Sequence, residues 1–135
     1  MKEPVRIALV RHGETVGNSS IRYHGITDVV LSSLGRAQAH EARALLGETE
    51  FDRVVASSLT RAWQTATVLA PEQPILLEAD LREVDFGNWE GLTREEIAAR
   101  DLALYAEWQR RLQAFNYPGG EARTHFRSRI EAALQ

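Results

Sequence analysis

The chain has 135 residues, a net charge of −3 and no cysteine. That length suits one compact domain, 1–135, and the missing cysteines exclude disulfides and thiolate metal sites and accord with a reducing, cytoplasmic setting. No block of like charge suits nucleic acid, and no apolar stretch is long enough to span a bilayer, so neither is an expected partner.

Residues 5–10, Val-Arg-Ile-Ala-Leu-Val, are a short aliphatic run followed by a glycine turn, which predicts a buried strand. Ser33 is placed to cap a helix over residues 34–46, with Gly47 as its stop. A second strand is predicted over residues 53–57 and a helix over 59–69, with Pro71 just beyond it. The third strand falls at 74–78. Strand, helix, strand, helix, strand in this order predicts an α/β sandwich with mainly parallel pairing. Thr93 and Glu96 have capping-box spacing and open a helix near Arg94. More helix is expected over 103–113, then a loop at 116–120 with the run Pro118-Gly119-Gly120. Beyond Glu121, Phe126, Ile130, Ala133 and Leu134 mark one face of an amphipathic helix. Its apolar stripe is still running at Gln135, without a stop signal. A terminal helix that frays into solvent and a chain lacking a C-terminal portion both fit this pattern.

Ligands of open α/β sheets bind beyond the carboxyl ends of the strands. Arg11 and His12 follow the first predicted strand, Arg61 lies near the start of the helix after the second, and Glu83 follows the third. Parallel strands would bring these side chains to one rim. The helix N-terminus near Arg61 would add free N–H groups for an anion. Two forked guanidinium groups suit a phosphate, and an imidazole beside it can attack phosphorus to form a phosphohistidine. The ring nitrogen that does not attack needs a fixed acceptor, often a backbone carbonyl. Glu83 can protonate the leaving oxygen and later take a proton from water. Each residue alone has a bland role: a histidine in a turn, a solvated arginine, a glutamate capping a turn. The convergence on one rim carries the case. A metal site has little support, because the zinc-deaminase pattern that His12-Gly13-Glu14 would open lacks its Cys half. Nor does any His-x-x-x-His pair occur.

Leu9-Val10-Arg11-His12-Gly13-Glu14-Thr15 with Asn18 resembles the signature of the histidine phosphatase superfamily, also called the phosphoglycerate mutase family. Similar segments follow in order. They are Leu34-Gly35-Arg36-Ala37-Gln38-Ala39, Ser57-Ser58-Leu59-Thr60-Arg61-Ala62, Leu81-Arg82-Glu83-Val84-Asp85-Phe86-Gly87 and Pro118-Gly119-Gly120-Glu121. The resemblance implies a three-layer α/β/α sandwich of the phosphoglycerate mutase type, incomplete at its C-terminus. It also implies His12 as the phosphorylated nucleophile and Glu83 as the acid and base. Arg11, Arg61 and Asn18 would bind the phosphate, while Arg22, His24 and Gly25 would contact the substrate, with no metal or other cofactor.

One departure concerns the family's second catalytic histidine, which follows a central strand beyond the Gly-Gly-Glu helix; neither is present here. That strand normally lies beside the one bearing His12, so the open position leaves room for a homodimer. The compact stretch between Glu83 and Gly119-Gly120, with the sequence around Glu83, is closer to the phosphatase branch. The expected activity is a metal-independent phosphomonoesterase acting on a small phosphate ester. A phosphoglycerate mutase is the alternative, and a catalytically weak phosphate-binding protein is the alternative of another class.

Overall fold

The protein is described here by a computed structural model covering residues 3–18 and 20–135. Two short strands, β1 (Val54–Ser57) and β2 (Ile75–Glu78), pair in parallel with Val54 opposite Ile75 and Ser57 opposite Glu78. A parallel pair needs a crossover, and the helix α2 (Thr60–Leu69) supplies it. Helix α1 (Ser33–Leu46) packs on α2. Ser32, rather than the expected Ser33, caps α1, its hydroxyl accepting from the Gly35 N–H at 3.0 Å. Gly47 ends the helix with φ 59°, a conformation that costs glycine little.

Residues 5–10, expected as the first strand, take no part in this sheet. Val5, Ile7 and Leu9 are exposed, at 86%, 75% and 89%, so the segment is not buried either. The physical reason is the lack of a ladder partner. A cleft of about 460 Å³ is lined by Ala8, Leu9 and Val10 together with all four residues of β1. Backbone groups facing an open cleft meet no carbonyl or N–H, and a strand is defined by those bonds.

The second half of the chain supplies the buried aromatic cluster of the hydrophobic core. Helices α3 (Arg94–Arg100) and α4 (Leu102–Arg110) pack together, and Thr93 and Glu96 form the expected capping box. Val84, Trp89, Ile97, Trp108, Phe115 and Tyr117 are buried in one cluster. Their rings meet mostly edge to face, as for Trp89 on Tyr117 and Phe86 on Tyr117, the arrangement that ring quadrupoles favour. The Trp108 indole N–H donates to the Tyr117 hydroxyl at 3.2 Å, so neither polar atom is orphaned. The last helix, α5 (Arg123–Ala133), touches this cluster through Phe126. The loop carrying Glu83 is thus pinned by its neighbour Val84, which is fully buried.

Candidate active site

His12 is half-buried just beyond residues 5–10. Its Nδ1 lies 2.7 Å from the Gly13 carbonyl oxygen. A carbonyl can only accept, so Nδ1 carries the proton and Nε2 keeps a free lone pair. Burial lowers the imidazole pKa below its usual 6.5, opposed by the Gly13 bond and Glu83 and reinforced by Arg61 and Arg11. The neutral, nucleophilic ring is therefore the favoured form near neutral pH. Immediately after it the chain passes unusually close to α1. A Cβ on Gly13 would collide with the Gly35 carbonyl, and one on Gly35 would collide with the carbonyl of Glu14. Two glycines from different segments thus let the His12 turn lie flat on the helix start. The Gly13 N–H donates to the Thr65 hydroxyl at 3.3 Å, and the Glu14 N–H to the Gln38 side chain at 2.8 Å.

Arg61 is buried, with 3% of its surface exposed. Among the described residues, its guanidinium donates to the carbonyls of Thr27, His24 and Gly25. Three of the five N–H donors of an arginine are engaged this way, so two are left for an anion. Desolvation lowers its pKa below the ordinary arginine value, yet the guanidinium stays charged at any ordinary pH. The expected free N–H groups at the start of α2 are a correction. Asp28 covers that helix end, accepting from the Thr60 N–H and hydroxyl, both at 2.7 Å. A carboxylate there complements the helix dipole and takes the first N–H of the helix, so that group is not available to an anion.

Arg11, His12, Arg61 and Glu83 all line a second cleft, of about 660 Å³, and the same four also line the apolar one. Four residues from three separate motifs therefore meet where the two hollows join. Arg11 is exposed, and Glu83 extends from an exposed position with its carboxylate accepting from the Val84 N–H at 2.7 Å. Arg22 and His24 also line the larger cleft. Arg22 is partly engaged, bonding the Gly91 carbonyl at 2.8 Å and Glu96 at 2.9 Å. Both ring nitrogens of His24 are buried without a hydrogen-bond partner among the described residues. Asn18 and Gly25 are not among the residues lining either cleft. Asn18 occupies an exposed turn with φ 59°, and its carbonyl accepts from the N–H groups of Ile21 and Arg22. Gly25 is buried where a Cβ would strike Val84 and Glu90.

Sequence reasoning missed Glu90. Its carboxylate accepts from the N–H groups of Gly25 at 3.0 Å, Ile26 at 2.8 Å and Phe86 at 3.1 Å. It also accepts from the Thr27 hydroxyl at 2.7 Å, so it folds the loop whose carbonyls hold Arg61. Nothing local in the sequence distinguishes it from a solvated glutamate, because three of its four partners, Gly25, Ile26 and Thr27, lie more than 60 residues away.

The sequence profile of the histidine phosphatase superfamily (branch 1) matches residues 7–135. The chain belongs to that superfamily. A glucosyl-3-phosphoglycerate phosphatase of Mycobacterium tuberculosis is 36% identical over 126 residues, which are 92% of this chain and 56% of the relative. The adenosylcobalamin/alpha-ribazole phosphatase of Escherichia coli is 32% identical over 129 residues, 94% of this chain and 64% of the relative. Among solved structures, the alpha-ribazole phosphatase of Shigella flexneri superposes with a TM-score of 0.84 at 31% identity. That match covers 93% of this chain and 63% of the other. The chain thus spans about half the length of the first curated relatives it matches. The α/β fold expected from the element order is that of these histidine phosphatases. Among the described residues no helix is long and apolar enough to cross a membrane.

Proposed function

We propose that this chain is a metal-independent phosphomonoesterase that acts on a small phosphorylated metabolite in the cytoplasm through a phosphohistidine on His12. The observation that carries this reading is the meeting of Arg11, His12, Arg61 and Glu83, with Nδ1 of His12 tied to a carbonyl so that Nε2 is free. Nε2 attacks phosphorus as the ester P–O bond breaks, and the leaving oxygen takes a proton from Glu83. Water then attacks the phosphohistidine, giving its proton to Glu83 and releasing inorganic phosphate. Arg11 and the two remaining donors of Arg61 hold the phosphoryl oxygens, each charge-assisted bond worth roughly 1.5–3 kcal/mol. Asn18, Arg22 and His24 complete the proposed contacts with phosphate and substrate, and Gly25 shapes the loop behind them. The matched relatives named as phosphatases of glucosyl-3-phosphoglycerate and alpha-ribazole phosphate support a small-metabolite substrate.

The deciding experiment incubates the protein with a ³²P-labelled phosphate ester in the presence of a chelator, followed by alkaline quenching and mass mapping. The expected result is an acid-labile label on His12 together with release of inorganic phosphate. Label that passes to a second hydroxyl instead of water would make the protein a mutase. Phosphate binding without label or turnover would make it a binding protein.

The exposed apolar side chains of residues 5–10 and the edge of β1 that pairs with no strand among the described residues support pairing with a second copy of the chain. Sedimentation velocity is expected to show a dimer at tens of micromolar. A monomer across that range would remove the homodimer.

A further inference from the structure

The acid loop is held by a residue that lines neither cleft. Arg129 lies on α5 with its side chain only 11% exposed, and it stands between that helix and residues 80–85. Its two Nη atoms donate to the carbonyls of Asp80 at 2.6 Å, Arg82 at 2.8 Å and Glu83 at 3.0 Å. Nε and Nη2 form a fork on the Glu121 carboxylate at 2.6 and 2.8 Å. All five N–H donors are therefore engaged, and none is left for a substrate. Glu121 is joined to the same loop, its N–H donating to the Asp85 carbonyl at 2.9 Å and its carboxylate accepting from the Asp85 N–H at 3.4 Å. The Arg129 guanidinium, with help from His125, holds the Glu121 carboxyl down at about 2, so the fork stays charged at any working pH. Beneath it the guanidinium lies 4.9 Å from the Phe126 ring centre, which ties the cluster to the hydrophobic core.

The geometry of these bonds selects one residue. The carbonyls of Arg82 and Glu83 belong to the peptide planes before and after the Cα of Glu83. Fixing both planes fixes φ and ψ at Glu83, and so the direction in which its Cβ leaves the backbone. Burial of Val84 and the bond from its N–H to the Glu83 carboxylate complete the constraint. Among the described residues the exposed Glu83 side chain makes no other hydrogen bond, so its direction rests on the backbone.

We infer that Arg129, clamped by Glu121, is a positioning residue that aims the Glu83 carboxyl at the leaving oxygen. This rests on the reading of Glu83 as the general acid. A general acid matters when the leaving oxygen is basic and matters little when it departs readily as an anion. Lysine keeps the charge at position 129 but lacks the planar fork and two of the five donors.

The test compares the full chain with Arg129→Lys on two esters, glycerol phosphate and 2,4-dinitrophenyl phosphate, with circular dichroism to verify folding. The expected kcat loss is about 10–100-fold on glycerol phosphate, with KM changed less than about 3-fold, and less than about 3-fold on the dinitrophenyl ester. Combining Arg129→Lys with Glu83→Gln should add little to Glu83→Gln alone. Equal losses on both esters, or none, would overturn the inference. Should Arg129→Lys fail to fold, Glu121→Gln, which weakens the same fork, carries the comparison.

A second readout needs no turnover. The charged groups around His12 are Arg11 and Arg61, which lower its titration, and Glu83, which raises it. Displacing Glu83 should move the His12 midpoint, followed by NMR, downward in Arg129→Lys, as in Glu83→Gln. An unmoved midpoint would overturn the inference. If the unaltered chain hydrolyses neither ester, the phosphatase reading fails while this titration still decides the role of Arg129.

Discussion

Replacing His12 with alanine is expected to lower ester hydrolysis by at least ~10⁴-fold and to abolish labelling, with little change in stability. The size follows from covalent catalysis, since without the imidazole no phosphoryl group can be transferred to the protein. The two arginines can still bind a phosphate, so KM for the residual reaction should change little. Stability should survive because His12 is only half-buried and its one bond is to the adjacent residue. Steady-state kinetics with a sensitive phosphate assay and a urea titration check both parts. The pH dependence has a fixed sign. The imidazole pKa lies below 6.5, so the neutral nucleophile persists as pH falls to 6.5 and is lost only below it. Retention of more than about 1% of the activity in His12→Ala would place the nucleophile elsewhere.

Arg61→Ala should harm both stability and rate, which distinguishes it from His12→Ala. The buried carbonyl of Gly25 and the part-buried carbonyls of His24 and Thr27 would lose their shared donor. Unpaired buried carbonyls cost roughly 1–3 kcal/mol each, and partial relaxation brings the expected total to about 2–4 kcal/mol. Loss of a charged donor at the phosphoryl oxygens should reduce kcat by about 10²–10³-fold. Arg61→Lys keeps a positive charge but cannot fork to several acceptors, so it should recover part of the stability and little of the rate. A urea midpoint and kcat for both variants decide it. Arg61→Lys with unaltered kcat would show that a point charge suffices and that the forked grip is not used.

The four residues proposed for catalysis were legible because each motif carries its own local chemistry. Arg-His-Gly after an aliphatic run, Arg61 at a helix start and Glu83 before a buried valine are patterns within a few residues. The capping box at Thr93 and Glu96 is equally local, and so is the Gly47 stop, which is why both appear where expected. Asp28 on Thr60, Glu90 on residues 25–27 and Arg129 on residues 80–83 are different. Each is an ordinary charged residue in sequence, and its task exists only once a distant segment is folded against it. The first strand failed for a related reason. An aliphatic pattern states that residues 5–10 favour a strand, while a ladder requires a neighbour that the pattern does not contain.

The order of amino acids by itself determined the strand–helix–strand run over residues 53–78, the chemical kinds of group available and the need for one nitrogen of His12 to be held while the other reacts. Those properties depend on side-chain chemistry and on spacing within one or two turns of chain. Only the tertiary structure decided that Arg61 is largely engaged by carbonyls, that α2 is capped by Asp28 and that α5 holds the acid loop. Hydrogen bonds between segments tens of residues apart depend on the closing of loops, and no local pattern encodes that closure.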